Sequence, residues 1–79
     1  MNILVFTQNG CNPCTMVKNY LTDQEIEFKA INVSENPQSG EEYGIMGTPV
    51  SILVDEDGEE VTRVVGFNPD QLDILASQL

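Results

Sequence analysis

Histidine is absent from this 79-residue chain, aromatic residues make up only 6% of it, and three basic residues stand against thirteen Asp and Glu. Each shortage excludes something. Without histidine, the two cysteines cannot close a four-ligand zinc site within one chain. With Lys18, Lys29 and Arg63 as the only cations and a formal net charge of -10, the chain is a poor match for a phosphate backbone, so nucleic acid is not an expected partner. A charge of this sign favours targets with a basic or neutral docking face, and that steering weakens as salt rises. The start, Met-Asn-Ile-Leu-Val-Phe, has no basic n-region, and its apolar run is far too short for a signal peptide or a membrane span. No membrane association and a cytoplasmic location are therefore expected. What remains is a chain with 41% hydrophobic residues, enough for one globular domain over residues 1–79 but not for two cores. Nothing demands more than a monomer.

The apolar run Ile3-Leu4-Val5-Phe6, bounded by polar residues, predicts a strand buried inside a sheet. A helix is expected to begin within Cys11-Asn12-Pro13-Cys14, with Asn12 as cap and Pro13 in the first helical position. Met16, Val17, Tyr20 and Leu21 follow at helical spacing as its apolar stripe. The period-2 stretch Phe28–Val33 predicts a second strand, parallel to the first across a right-handed βαβ unit. A short helix then follows, capped by Ser34, weakened by Gly40 and ended by Gly44. Val50–Val54 and Val61–Val65, joined through Asp55-Glu56-Asp57-Gly58, predict a hairpin. Asn68-Pro69-Asp70-Gln71 opens a last helix with Leu72, Ile74, Leu75 and Leu79 as its apolar face.

The cysteines sit in "NGCNPCT", with two residues between them. As a structural staple the pair is weak, because loop-closure entropy gives roughly 2 kcal/mol for a four-residue ring against about 3 for fifteen residues. As a metal clip it needs a second chain to supply two more thiolates. As a redox couple it has a physical advantage, because Cys11 lies at a helix start, where unpaired N–H groups and the macrodipole favour an ionised sulfur. Only roughly 3% of a thiol with a pKa of about 8.5 is ionised at pH 7, so a pKa near 7 raises the reactive fraction about fifteenfold. Cys14, one turn inside, is better placed to resolve a mixed disulfide than to start the attack.

A strand, then C-x-x-C at a helix start, then Gly47-Thr48-Pro49-Val50 before a hairpin, then Gly66 before a final helix resembles the thioredoxin and glutaredoxin superfamily over essentially the whole chain. The resemblance implies an α/β thioredoxin-like fold: a four-stranded mixed sheet built from a βαβ unit, a short helix, a β-hairpin and a C-terminal helix. It also implies a cis Pro49 facing the Cys11–Cys14 disulfide, with Thr48 offering backbone hydrogen bonds to an extended substrate. Asn12, Pro13, Gly47, Thr48, Pro49, Gly66 and Phe67 are then the substrate-binding residues. No bound cofactor is implied, since the sulfurs carry the two electrons and NADPH acts through a reductase.

Gly66-Phe67-Asn68-Pro69-Asp70 is similar to the G-F-x-P-D segment of NrdH-redoxins, and Glu41–Ile45 leading into Thr48-Pro49 is similar to small thioredoxins. The NrdH-redoxin resemblance implies thioredoxin reductase, or a similar flavoprotein reductase, as electron source and ribonucleotide reductase as target. Glutathione-dependent glutaredoxins typically carry a basic residue ahead of the first cysteine, T-V-P, and a G-[GSC]-[SD]-D segment. Here Thr7-Gln8-Asn9-Gly10 precedes Cys11, and Phe67-Asn68 replaces the small polar pair. Glutathione-dependent activity and a non-catalytic redox-sensing module are the alternatives. The acid-rich stretch Asp55–Glu60 lacks EF-hand spacing and is expected to be a solvated turn.

Overall fold

The structure, a computed structural model, describes residues 1–79. In chain order it consists of β1 (Asn2–Thr7), α1 (Asn12–Asp23), β2 (Lys29–Asn32), α2 (Pro37–Glu42), β3 (Val50–Val54), β4 (Glu60–Val65) and α3 (Pro69–Ala76). The strands form one mixed sheet in the order β2-β1-β3-β4. β1 and β2 are parallel, with Phe6 opposite Ile31, while β3 is antiparallel to both β1 and β4. This is the expected α/β thioredoxin-like fold.

The wholly apolar run in β1 follows from its place inside the sheet, where both faces are covered. On one face Ile3, Val5, Leu53 and Val64 pack against Val17 and Leu21 of α1 and Leu72 and Leu75 of α3. On the other, Phe6, Val50, Ile52 and Val54 pack against Tyr43, Ile45 and Val33. Gly40 is buried there, and a Cβ at that position would lie 3.2 Å from Val33 Cγ1. The residue that weakens α2 as a helix former is thus the one that lets α2 sit close to the chain after β2.

Several local expectations are corrected. The cap of α1 is Cys11, whose sulfur accepts the Cys14 N–H at 3.2 Å; Asn12 is the first helical residue and Pro13 the second. Met16 is half exposed, and the buried stripe of α1 is Cys14, Val17 and Leu21, because the face is set by i, i+3 and i+7 from Cys14. Asn36, without a side-chain bond, precedes α2 in place of Ser34, whose hydroxyl instead accepts the Asn9 N–H. Ile74 and Leu79 are exposed, leaving Leu72 and Leu75 as the buried face of α3. The cap of α3 is as expected, with Asn68 Oδ1 accepting the Gln71 N–H at 3.1 Å. The Asp55 carboxylate accepts the N–H groups of Asp57 and Glu59, so the acidic stretch closes a hairpin turn.

Tyr20, expected in the core, lies at its edge and joins α1 to α3 by donating its hydroxyl to Asp73 at 2.6 Å. That bond, with a smaller desolvation effect, raises the Tyr20 pKa above 10.0. The proton-bearing form is favoured by the fold, so this contribution is complete below the ordinary tyrosine pKa and is lost as pH rises through the raised one. Thermal unfolding of Tyr20→Phe between pH 8 and 11 should therefore show a shallower alkaline decline than the parent chain.

Candidate active site

Three segments meet at the C-terminal end of β1. The first is the loop 8–11 entering α1, held by a polar cluster that uses the ends of two parallel strands. Asn32 Nδ2 donates to Asn9 Oδ1 at 2.9 Å, and the Asn9 N–H donates to Ser34 Oγ at 3.2 Å. The second is the turn before β3, where the Thr48–Pro49 peptide is cis, as the resemblance implied. The third is Gly66 after β4, whose N–H donates to the Pro49 carbonyl at 2.9 Å. Gly66 has φ +79, a conformation that side chains other than glycine rarely adopt.

Cys11 and Cys14 are joined in a disulfide with a Cα–Cα distance of 5.3 Å. Cys11 is half buried, whereas Cys14 is 2% exposed and faces the sheet. Thr48 Oγ1 donates to Cys11 Sγ at 3.5 Å, which ties the cis-proline turn to the sulfur nearer the surface. Two polar hydrogens, the Cys14 N–H and the Thr48 O–H, thus point at Cys11 Sγ.

Of the other residues expected at the site, Asn12 and Pro13 are exposed beside the disulfide, Gly47 is exposed, and Pro49 is buried. Phe67 is placed differently. Its ring packs on the core and meets Tyr20 edge-on at 6.1 Å, so it supports the α1–α3 junction. Met46 and Val65, not singled out from the sequence, stand 99% and 70% exposed next to Gly47 and Gly66. Periodicity offers no signal for them, since each is identified only by the turn or strand end that follows it.

Charge is unevenly distributed over the fold. Residues 1–22 contain no Asp or Glu. Asp23, Glu25, Glu27 and the acids of the 55–60 turn lie at the opposite end of the sheet from the disulfide. The larger of two surface clefts, about 520 Å³ and lined by Phe28, Tyr43, Val54 and Glu56, also opens at that far end. The sulfurs line neither cleft; they stand at an open surface, which suits a docking protein segment better than an enclosed small molecule. No group of three or more His, Cys, Asp or Glu is arranged to hold a metal ion.

A C-x-x-C disulfide at a helix start, facing a cis-proline turn across a β2-β1-β3-β4 sheet, defines a small thiol–disulfide oxidoreductase of thioredoxin-like fold. Comparison with known proteins agrees, the glutaredoxin family model matching residues 3–66. The chain belongs to the glutaredoxin family. It is 44% identical over 79 residues to the SPbeta prophage-derived thioredoxin-like protein YosR of Bacillus subtilis strain 168, covering 100% of this chain and 99% of that one. It is 34% identical over 74 residues to the glutaredoxin-like protein NrdH of Lactococcus lactis subsp. cremoris, covering 94% and 99%. Among solved structures it is similar to the glutaredoxin-like NrdH-redoxin of Escherichia coli, which is described as having a thioredoxin-like activity profile. The TM-score is 0.77 and the identity 29%, with 95% of each chain covered.

Proposed function

We propose that the chain acts as one domain over residues 1–79, an electron carrier that reduces protein disulfides and is recharged by thioredoxin reductase or a similar flavoprotein. Ribonucleotide reductase is its proposed target. The observation that carries this reading is the asymmetry of the two sulfurs: Cys11 at the surface with two donors on it, Cys14 buried behind it. In the dithiol form those donors favour a Cys11 thiolate, which attacks one sulfur of the target disulfide and expels the other as a thiolate. Cys14 then attacks Cys11 Sγ, closing the intramolecular disulfide and releasing the reduced target. The two electrons come from the dithiol, and the reductase returns them, so no bound cofactor is required. Gly47 and the Thr48 backbone offer an extended target strand its hydrogen bonds, with Asn12, Pro13, Pro49, Gly66, Met46 and Val65 around it.

Similarity to NrdH proteins supports the flavoprotein as electron source. So does charge, because glutathione is an anion overall and the chain's three cations do not gather near the disulfide. No helix is long and apolar enough to cross a membrane, and we place the carrier in the cytoplasm, where a reducing environment keeps the couple cycling. Coupled reduction of a disulfide substrate from NADPH tests the electron source. Thioredoxin reductase should sustain turnover at least about tenfold faster than glutathione with glutathione reductase, a difference of roughly 1.4 kcal/mol in the barrier. Faster turnover with glutathione overturns the assignment.

A further inference from the structure

Ser51 is 0% exposed, and its Oγ has no hydrogen-bond partner within the chain. A buried hydroxyl left unpaired is unfavourable, and its retention calls for a reason. Register places it. Ser51 lies opposite Val5 on β1 and Val64 on β4, and Leu53, the next residue of β3 on the same face, packs with Val17 and Leu21 of α1. Ser51 therefore faces the layer that α1 covers. β3 begins beside the cis-proline turn and α1 begins at the disulfide, so Ser51 and Cys14 occupy the same end of that layer.

The surroundings are otherwise apolar. Thr7 and Ser51 are the buried polar residues, and the Thr7 hydroxyl already faces the Ile31 carbonyl at 3.5 Å. Among titratable groups besides Cys14, α1 carries Lys18, Tyr20 and, at its far end, Asp23, and α3 carries Asp70 and Asp73, none of them buried. The positions of β1, β3 and β4 that face α1 (Ile3, Val5, Ser51, Leu53, Thr62 and Val64) carry no titratable side chain. No carboxylate is therefore available in this layer to manage the charge of Cys14.

We propose that Ser51 is a positioning residue for Cys14: its hydroxyl, idle while the disulfide is closed, supplies the hydrogen bond that holds the Cys14 thiolate when the disulfide is open, directly or through one trapped water. The inference rests on the reading of Cys14 as the resolving cysteine. When a reductant thiolate attacks Cys11 Sγ, a new S–S bond forms, the Cys11–Cys14 bond breaks, and its electron pair leaves on Cys14 Sγ. In the opposite direction the Cys14 thiolate attacks Cys11 Sγ and the target leaves as a thiolate, which takes its proton from water. Both directions pass through a negative sulfur in an apolar layer, where one donor has a large effect. The same hydroxyl is a burden to the closed form, so stability and chemistry pull in opposite directions at this position.

The test uses the reduced chain and excess dithiobis(nitrobenzoate), which releases one coloured thiolate on attack by the first cysteine and a second on resolution. Ser51→Ala and Ser51→Val should leave the first release at the parent rate and slow the second about tenfold at pH 7. The pH midpoint of the second should move up by about one unit, and Ser51→Thr should restore it. The oxidised Ala and Val variants should melt no lower than the parent, which separates this effect from a damaged core. A second release at the parent rate in both variants, equal slowing of both releases, or failure of Thr to restore the rate overturns the proposal. Cys14→Ser separates this from the reading beneath it. A single release at the parent's first rate upholds Cys11 as the attacking and Cys14 as the resolving cysteine whatever Ser51 does, whereas a single release far slower than the parent's first overturns that reading.

Discussion

Cys11→Ser should reduce disulfide turnover to the uncatalysed background, a loss on the order of 10⁴-fold or more, the scale expected when a covalent nucleophile is removed. Serine keeps the shape, but its hydroxyl is not ionised near neutral pH, and oxygen does not exchange with a disulfide. The Cys14 N–H at 3.2 Å and the Thr48 hydroxyl at 3.5 Å would then serve an uncharged oxygen, and the advantage of the helix start would be lost. Cys14→Ser has a different signature. Attack by Cys11 still proceeds, but nothing resolves its product, so a mixed disulfide with the target accumulates and is visible as added mass on a non-reducing gel or by mass spectrometry. Cys14 is 2% exposed, which leaves it poorly placed to attack in place of Cys11. A Cys11→Ser chain that still turns over a disulfide substrate from NADPH would reverse the assignment of the two sulfurs.

What was legible in the sequence depended on whether a feature was local. Strand β1 and the β3–β4 hairpin were readable because burial on both faces and an Asp-Gly turn leave marks within a few residues. The α3 cap was readable because Asn68 and Gln71 bond within one turn. The cysteine spacing and the Thr48-Pro49 dipeptide were legible as motifs, though only the fold brings Thr48 Oγ1 to Cys11 Sγ across 37 positions of sequence.

What was not legible required knowledge of a neighbour. A cysteine is an unusual helix cap, and Asn12 is by composition the better candidate. Sulfur takes the role because the disulfide fixes Cys11 one turn ahead of the Cys14 N–H. The buried face of α1 takes Cys14 and leaves out Met16, since Met16 and Val17 are both apolar and only contact with the sheet selects Val17. Phe67 carried a motif but spends its ring on Tyr20. Ser51 left no mark at all: one polar letter in Val-Ser-Ile-Leu-Val reads as ordinary strand alternation until the register shows all five residues buried. The net charge of -10 is legible in the sequence, but not that Asp23, Glu25, Glu27 and the acids of the 55–60 turn gather at the end of the sheet away from the disulfide.

Phe6→Ala should have the largest effect on stability. Phe6 is fully buried in the cluster with Val50, Ile52 and Val54, its ring 5.4 Å from that of Tyr43. Truncating a buried phenylalanine costs about 3–5 kcal/mol, because the transfer energy of the ring is lost and the cavity closes only in part. At roughly 0.05–0.15 kcal/mol per residue, a chain of 79 residues has a total stability of about 4–12 kcal/mol, so this substitution removes a large share of it. The melting temperature should fall by on the order of 12 °C or more, at about 4 °C or more per kcal/mol in a domain of this size. Urea unfolding should show the midpoint moving down with little change in slope. Ile74→Ala, at a position 63% exposed, is the matched control and should stay within about 0.5 kcal/mol of the parent. The consequence reaches the active site through register: Phe6 pairs with Val50, and Val50 follows Pro49. Phe6→Ala should therefore lose disulfide-reducing activity at temperatures below its global unfolding, as the Thr48–Pro49 turn loosens from Cys11. Activity that persists up to the melting point would show that the turn is held by the Gly66–Pro49 hydrogen bond and not by the core beneath it.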